Sequence, residues 1–233
     1  SIAVSQSGQS PDLCEAMLSA KQAGSMTISF VNQIDSPLAN NAEYVVPLHA
    51  GEEKAVAATK SYIASLSNLI HFVATLKQDQ ALLNAIKALP ERLEEALTMD
   101  WSEAIKTLTP CQDALIVGRG YSFPIAMEAA LKCKETAVIH AEAFSSAEIL
   151  HGPFALIRKN YPILLFCQND ASLKGTLALA EKCAALGAKP LLAAPHDFNE
   201  IPDGVTKLPL PTFSHPICDP LLAIQAFYRM IET

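Results

Sequence analysis

The chain has 233 residues, a net charge of −7, and a composition that is 50% apolar but only 6% aromatic. That length buries a substantial core, as one large domain or two smaller ones. The acidic balance, without Lys/Arg clusters, argues against nucleic acid as a partner, and no uncharged apolar run reaches the roughly 18 residues that would suggest a membrane span.

In chain order, Ile2-Ala-Val-Ser-Gln-Ser-Gly8 reads as a strand entering a loop, Pro11 to Ala23 as an amphipathic helix stopped by Gly24, and Met26 to Val31 as the next strand. Glu52 to Lys77 reads as a long Ala-rich helix and Gln78 to Thr98 as a second. Met99 to Gln112, with the only Trp, reads as a linker. Pro37, Pro47, Pro90 and Pro110 are expected in turns. Ala114 to Gly118 is a strand followed by a helix through about Thr136, and a dense polar tract then ends in His151-Gly152-Pro153. Pro162 to Cys167 (strand), Ser172 to Leu186 (helix, stopped at Gly187) and Pro190 to Ala194 (strand) close the series. Short Val/Ile/Leu runs alternating with Ala/Leu-rich helices predict an α/β protein.

The strand–helix–Gly–strand order occurs twice. Matching Gly24 to Gly187 gives an offset of 163, which sets Ser5 opposite Gln168 and Gly8 opposite Ala171. Two copies of a parallel α/β unit follow, residues 1–98 and 113–233, joined by 99–112. The strand at Ala114 has its expected counterpart some 50 residues before Ser1, so the first unit is expected to be truncated at its N-terminus.

Ser5-Gln6-Ser7-Gly8-Gln9-Ser10 follows a strand and opens a helix, where outward N–H groups and the helix dipole favour an anion. Hydroxyls, amides and a glycine without Lys or Arg suit a phosphate monoester, and neither GxxxxGK[ST] nor GxGxxG is present. A helix N-cap at Ser10 within a Ser-rich turn accounts for the same residues without a ligand. In the second copy Gln168-Asn169-Asp170-Ala171-Ser172 lacks the glycine and carries a carboxylate that would repel phosphate. Gly118-Arg119-Gly120 reads as that copy's vestigial loop. Glu128, Lys132 and Glu135, at i, i+4 and i+7, share one helix face. With His151 they form an acid/base inventory, or else a solvated charged face beside a structural histidine. The six cysteines show no CxxC and no His/Cys ligand spacing, which points to buried thiols in a reducing cytoplasm and to no metal site.

SQSGQSPD at 5–12, EKAVAATKSY at 53–62 and GRGYSFPIAMEAALKCKETAVIHAEAFSSAEILHGPFAL at 118–156 together resemble the sugar isomerase (SIS) domain family, in its tandem group. The resemblance implies two three-layer αβα units with parallel, flavodoxin-like or Rossmann-like sheets. It implies that Ser5, Gln6, Ser7 and Ser10 hold a sugar 6-phosphate and that Val56, Ala58 and Thr59 line the sugar pocket. Glu135 is implied as the base moving a proton between C1 and C2, with Lys132 and Glu128 orienting the substrate. His151 is implied as the ring-opening group, contributed across a homodimer interface, and no cofactor is required. Family members also carry a C-terminal lysine that enters the site, whereas here no lysine follows Lys207. EEKAVAATKSY is closer to the stand-alone deaminases of the group, so glucosamine 6-phosphate conversion to fructose 6-phosphate and ammonia is the expected reaction. The alternatives are the isomerase part of a glutamine–fructose-6-phosphate aminotransferase and a non-catalytic sugar-phosphate sensor.

Overall fold

The computed structural model describes residues 1–232. The chain divides into two compact units, Ser1–Leu83 and the residues from Asn84 onward. Within the first, β1 (Ile2–Ser5), α1 (Pro11–Gln22), β2 (Ile28–Val31), α2 (Pro37–Asn41), β3 (Tyr44–Pro47) and α3 (Lys60–Lys77) follow one another. The strands form a parallel sheet in the order β1-β2-β3, with Val4 beside Phe30 and Phe30 beside Val46. Phe30, Val31 and Leu38 are fully buried, and Phe30 meets Phe72 of α3 edge-on at 5.7 Å.

The structure corrects two expectations. The helix expected from Glu52 begins at Lys60. Glu53 Oε2 accepts hydrogen bonds from Ser61 N (2.9 Å) and Ser61 Oγ (2.8 Å), so a side chain eight residues upstream satisfies the first turn and 52–59 stays non-helical. Pro90, expected in a turn, lies inside α4 (Gln80–Leu97). Leu82, Leu89 and Ala96 make one buried stripe along α4, and that burial carries the helix past the N–H that proline lacks. Pro37 does open α2, Pro47 ends β3, and Pro110 precedes β4.

In the second unit the segment 99–112 carries α5 (Ser102–Leu108). The ring of Trp101 is buried and its Nε1 donates to Pro209 O at 2.8 Å. Then come β4 (Asp113–Gly118), α6 (Ser122–Thr136), β5 (His140–Ser145), two single 3-10 turns at Glu148–His151 and Pro153–Leu156, β6 (Pro162–Phe166), α7 (Leu173–Ala185), β7 (Lys189–Pro195), β8 (Thr206–Leu210) and α8 (Asp219–Ile231). All five strands are parallel, in the order β5-β4-β6-β7-β8, the flavodoxin-like arrangement with its switch point between β4 and β6. Leu115, Val117, Ile163, Leu165, Leu192 and Ala194 face α7 through Leu179, Ala180 and Cys183. Helices α6 and α8 pack on each other. The 163-residue shift carries α1, β2 and β3 into α7, β7 and β8, so the internal repeat is structural. Among the described residues, no helix is long and apolar enough to cross a membrane.

Candidate active site

The loop after β1 is built around Gly8, whose φ of +62° is left-handed and whose missing Cβ would lie 2.1 Å from Ser36 Oγ. Gly8 N donates to Ser5 Oγ at 3.0 Å and Gln9 N to Ser7 Oγ at 3.3 Å. Leu38 N donates to Gly8 O at 3.1 Å and Gln33 N to Gln6 O at 3.3 Å, tying the loop to the segment after β2. Each serine oxygen that accepts an amide keeps its own hydrogen, which can be donated outward to an anion. Ser10 occupies the N-cap position of α1, yet its side chain makes no capping bond. Its hydroxyl is therefore not consumed by the helix, while α1 aims its N-terminal dipole at the loop. The one adverse charge in that first turn is the exposed Asp12. Beside the loop, at the C-terminal ends of β2 and β3, lies a hollow of about 470 Å³ lined by Asn32, Gln33, Ile34, Pro47, His49 and Glu52, among others.

Of the remaining first-unit residues, Val56 is 99% exposed. Ala58 and Thr59 are half-buried just before α3, where Glu53 anchors the segment.

In the second unit α6 brings three predicted residues together. Lys132, only 4% exposed, is sandwiched between Glu128 and Glu135. Its Nζ lies 3.2 Å from Glu128 Oε1 and 2.7 Å from Glu135 Oε2. The Glu128 side chain is 9% exposed and that of Glu135 32%, so Glu135 is the member that solvent or a substrate can reach. An ammonium shared by two carboxylates in a largely buried setting is costly unless every oxygen finds a donor. Tyr228 of α8 adds a donor from a distant part of the chain: its Oη donates to Glu128 Oε1, the oxygen that Lys132 Nζ also faces, at 2.7 Å. Sequence reading does not find it, because Tyr228 lies 100 residues from Glu128 and inside a helix beyond the last element that the sequence pattern marks.

His151 ends the first 3-10 turn with its ring exposed. Among the described residues no hydrogen bond or ion pair joins it to the trio. Gln168 lies in the loop after β6, yet its side chain turns inward: it is 1% exposed, accepts from Ser122 N (3.1 Å) and Ser122 Oγ (2.9 Å), and donates to Pro216 O (2.8 Å). At the switch point of the second unit it fills the place that the first unit leaves to its serine loop. Asp170 is likewise occupied, its Oδ1 accepting from Ser172 N and Oγ. A cavity of about 270 Å³ lined by residues 98–102 and α8 contains none of the predicted residues. Among the described residues no cluster of three or more His, Cys, Asp or Glu could hold a metal ion.

The family model of the SIS domain matches residues 1–75 and 107–203. The isomerizing glutamine–fructose-6-phosphate aminotransferase of Bradyrhizobium diazoefficiens is 33% identical over 202 residues, covering 82% of this chain and 33% of that protein. The chain thus spans about a third of the length of the curated relatives it matches. Among solved structures, a candidate phosphosugar isomerase from Silicibacter pomeroyi DSS-3 aligns with a TM-score of 0.92 at 35% identity, over 99% of this chain and 69% of that one. The C-terminal domain of glucosamine-fructose-6-phosphate aminotransferase from Francisella tularensis aligns at 0.86 with 30% identity, over 99% and 70% of the two chains.

Proposed function

Because the chain belongs to the SIS domain family, we propose that it is a phosphosugar isomerase that moves a proton between C1 and C2 of a hexosamine 6-phosphate. The observation that carries this reading is Lys132 shared between a buried Glu128 and a solvent-reachable Glu135. A base and a fixed cation side by side are what proton abstraction next to a carbonyl needs. Ser5, Gln6, Ser7 and Ser10 hold the 6-phosphate, and Val56, Ala58 and Thr59 line the sugar. In the open-chain sugar, Glu135 takes the C2 proton and the electron pair passes to the carbonyl oxygen on C1. The Lys132 ammonium meets the negative oxygen that develops there. Glu135 returns the proton to C1, O1 takes up a proton, and the C2 imine is hydrolysed to fructose 6-phosphate and ammonia.

His151 opens the sugar ring by proton transfer at the ring oxygen. Its exposure and its lack of any bond to the trio support its delivery from the partner subunit of a homodimer. The deaminating direction rests on the segment 52–62. The same C1–C2 transfer run toward amination is the second reading, favoured by the aminotransferase relative. Six free cysteines fit a cytoplasmic setting.

The test is release of ammonia and fructose 6-phosphate from glucosamine 6-phosphate without glutamine, with Glu135→Gln alongside. Turnover should fall about 10²–10⁴-fold in the variant, with sugar-phosphate affinity kept within a few-fold. Near-normal rates in Glu135→Gln would remove Glu135 from the proton path. Tight binding without turnover in the unaltered protein would favour a sensor.

A further inference from the structure

Resting on the isomerase reading above, we infer that Tyr228 is a positioning residue: by occupying Glu128 it keeps the Lys132 ammonium at Glu135. Glu128 is the more deeply buried carboxylate, and attraction between charges strengthens as water is excluded. On burial alone Lys132 should therefore lean toward Glu128. It does the opposite, lying 2.7 Å from Glu135 and 3.2 Å from Glu128. The reason lies in one atom. Tyr228 Oη and Lys132 Nζ both address Glu128 Oε1, and the phenol is the nearer at 2.7 Å. With that oxygen already supplied by a neutral donor, the ammonium moves outward to the carboxylate that can face a substrate.

The neighbouring Phe227 is fully buried, and its ring lies 6.5 Å from that of Tyr228, so α8 presents the phenol from a packed position. The hydrogen bond is itself buried and joins residues on two different helices. Tyr228 touches no reacting atom in this scheme and acts through its bond to Glu128.

Tyr228→Phe keeps the ring and deletes the donor. The ammonium is then expected to shift toward Glu128, lowering kcat between about 10- and 100-fold while KM stays within about twofold. In a Glu128→Gln background the competing charge is gone, and the same Phe substitution should change kcat less than about twofold. A packing role would produce the same loss in both backgrounds, and that result overturns the inference. The ammonium itself supplies a readout free of turnover: the Lys132 side-chain NMR signal, assigned by its loss in Lys132→Arg. It should move on Tyr228→Phe when Glu128 is intact and stay in place when the same substitution is made in the Glu128→Gln background. If the unaltered protein turns over no hexosamine 6-phosphate, the isomerase reading fails, yet this signal still decides the positioning: a shift confined to the Glu128 background sustains it, and no shift overturns it.

Discussion

Gly8→Ala strikes the anion loop at its tightest point. The new methyl group meets Ser36 Oγ at 2.1 Å, Ser36 Cβ at 2.6 Å and Val31 Cγ2 at 3.0 Å. Ser36 is fully buried and its Oγ accepts from Ala39 N at the start of α2, so it cannot yield without releasing that cap. Left-handed strain, the lost cap and residual overpacking together cost about 3 kcal/mol. For a chain of this size that is a drop of about 6–12 °C in Tm. Gly24→Ala is the control: its φ is +82°, but no atom lies within 4 Å of the added Cβ, so strain alone remains, about 1–2 kcal/mol. Differential scanning calorimetry reads the stability of both variants, and titration calorimetry reads their affinity for glucosamine 6-phosphate. Gly8→Ala should weaken that affinity about tenfold or more by displacing the amides of residues 8 and 9, whereas Gly24→Ala should leave it unchanged. Equal Tm and equal affinity in the two variants would refute the loop geometry and its proposed role together.

Gln168→Ala removes three hydrogen bonds and leaves Ser122 N and Pro216 O without a side-chain partner. It should destabilise the protein by about 2–4 kcal/mol, seen as a lower denaturant midpoint, and a neutral outcome would mean the switch point is not held by this amide. Burial raises the Glu53 carboxyl, but hydrogen bonds from Ser61 and from the Thr59 backbone, with the charge of Lys60, outweigh it and hold the group below its ordinary value of 4.5. A carboxyl depressed in the fold contributes stability above its unfolded value that is lost as pH falls through the folded one. The Tm should therefore decline more steeply below pH 4.5 in the unaltered protein than in Glu53→Ala, and parallel acid profiles would count against the cap on α3.

The parts of this fold legible in the sequence are those with a local signature. Strands β1, β2, β6 and β7 are compact apolar runs, Gly24 and Gly187 mark helix ends by needing positive φ, and the 163-residue offset follows from those stops. What the sequence hides is set by contacts distant along the chain. Periodicity alone starts α3 eight residues early, because a carboxylate reaching forward from Glu53 leaves no pattern to read. Strand β5 (His140–Ser145) is half exposed at the sheet edge and reads as a polar tract, and α8 lies past the last segment with a readable pattern. The site divides the same way. Glu128, Lys132 and Glu135 are legible because helical spacing alone brings them together, whereas Tyr228 requires knowing that α8 packs on α6.

The two units share one scaffold and use the end of the matched strand, β1 in one and β6 in the other, differently. Ser5 and Gln168 are equivalent under the repeat: Ser5 ends β1 and Gln168 follows the end of β6 at Phe166, each ahead of the first helix of the matched pair. Ser5 is short, so its Oγ can reach only its own loop at Gly8 N, and the amides and hydroxyls around it stay near the surface. Gln168 is two atoms longer and carries both a donor and an acceptor. It crosses to the start of α6 and to the segment before α8, and so supplies from within the chain the polar partners that a bound ligand would otherwise provide. That internal plug fixes the start of α6, the helix whose later turns carry Glu128, Lys132 and Glu135. A helix that must hold three ionisable groups within hydrogen-bond distance of one another gains from a rigid start, since a small displacement there is transmitted along every turn. One copy has kept an open loop suited to an anion, and the other has closed the equivalent place to brace its acid/base helix.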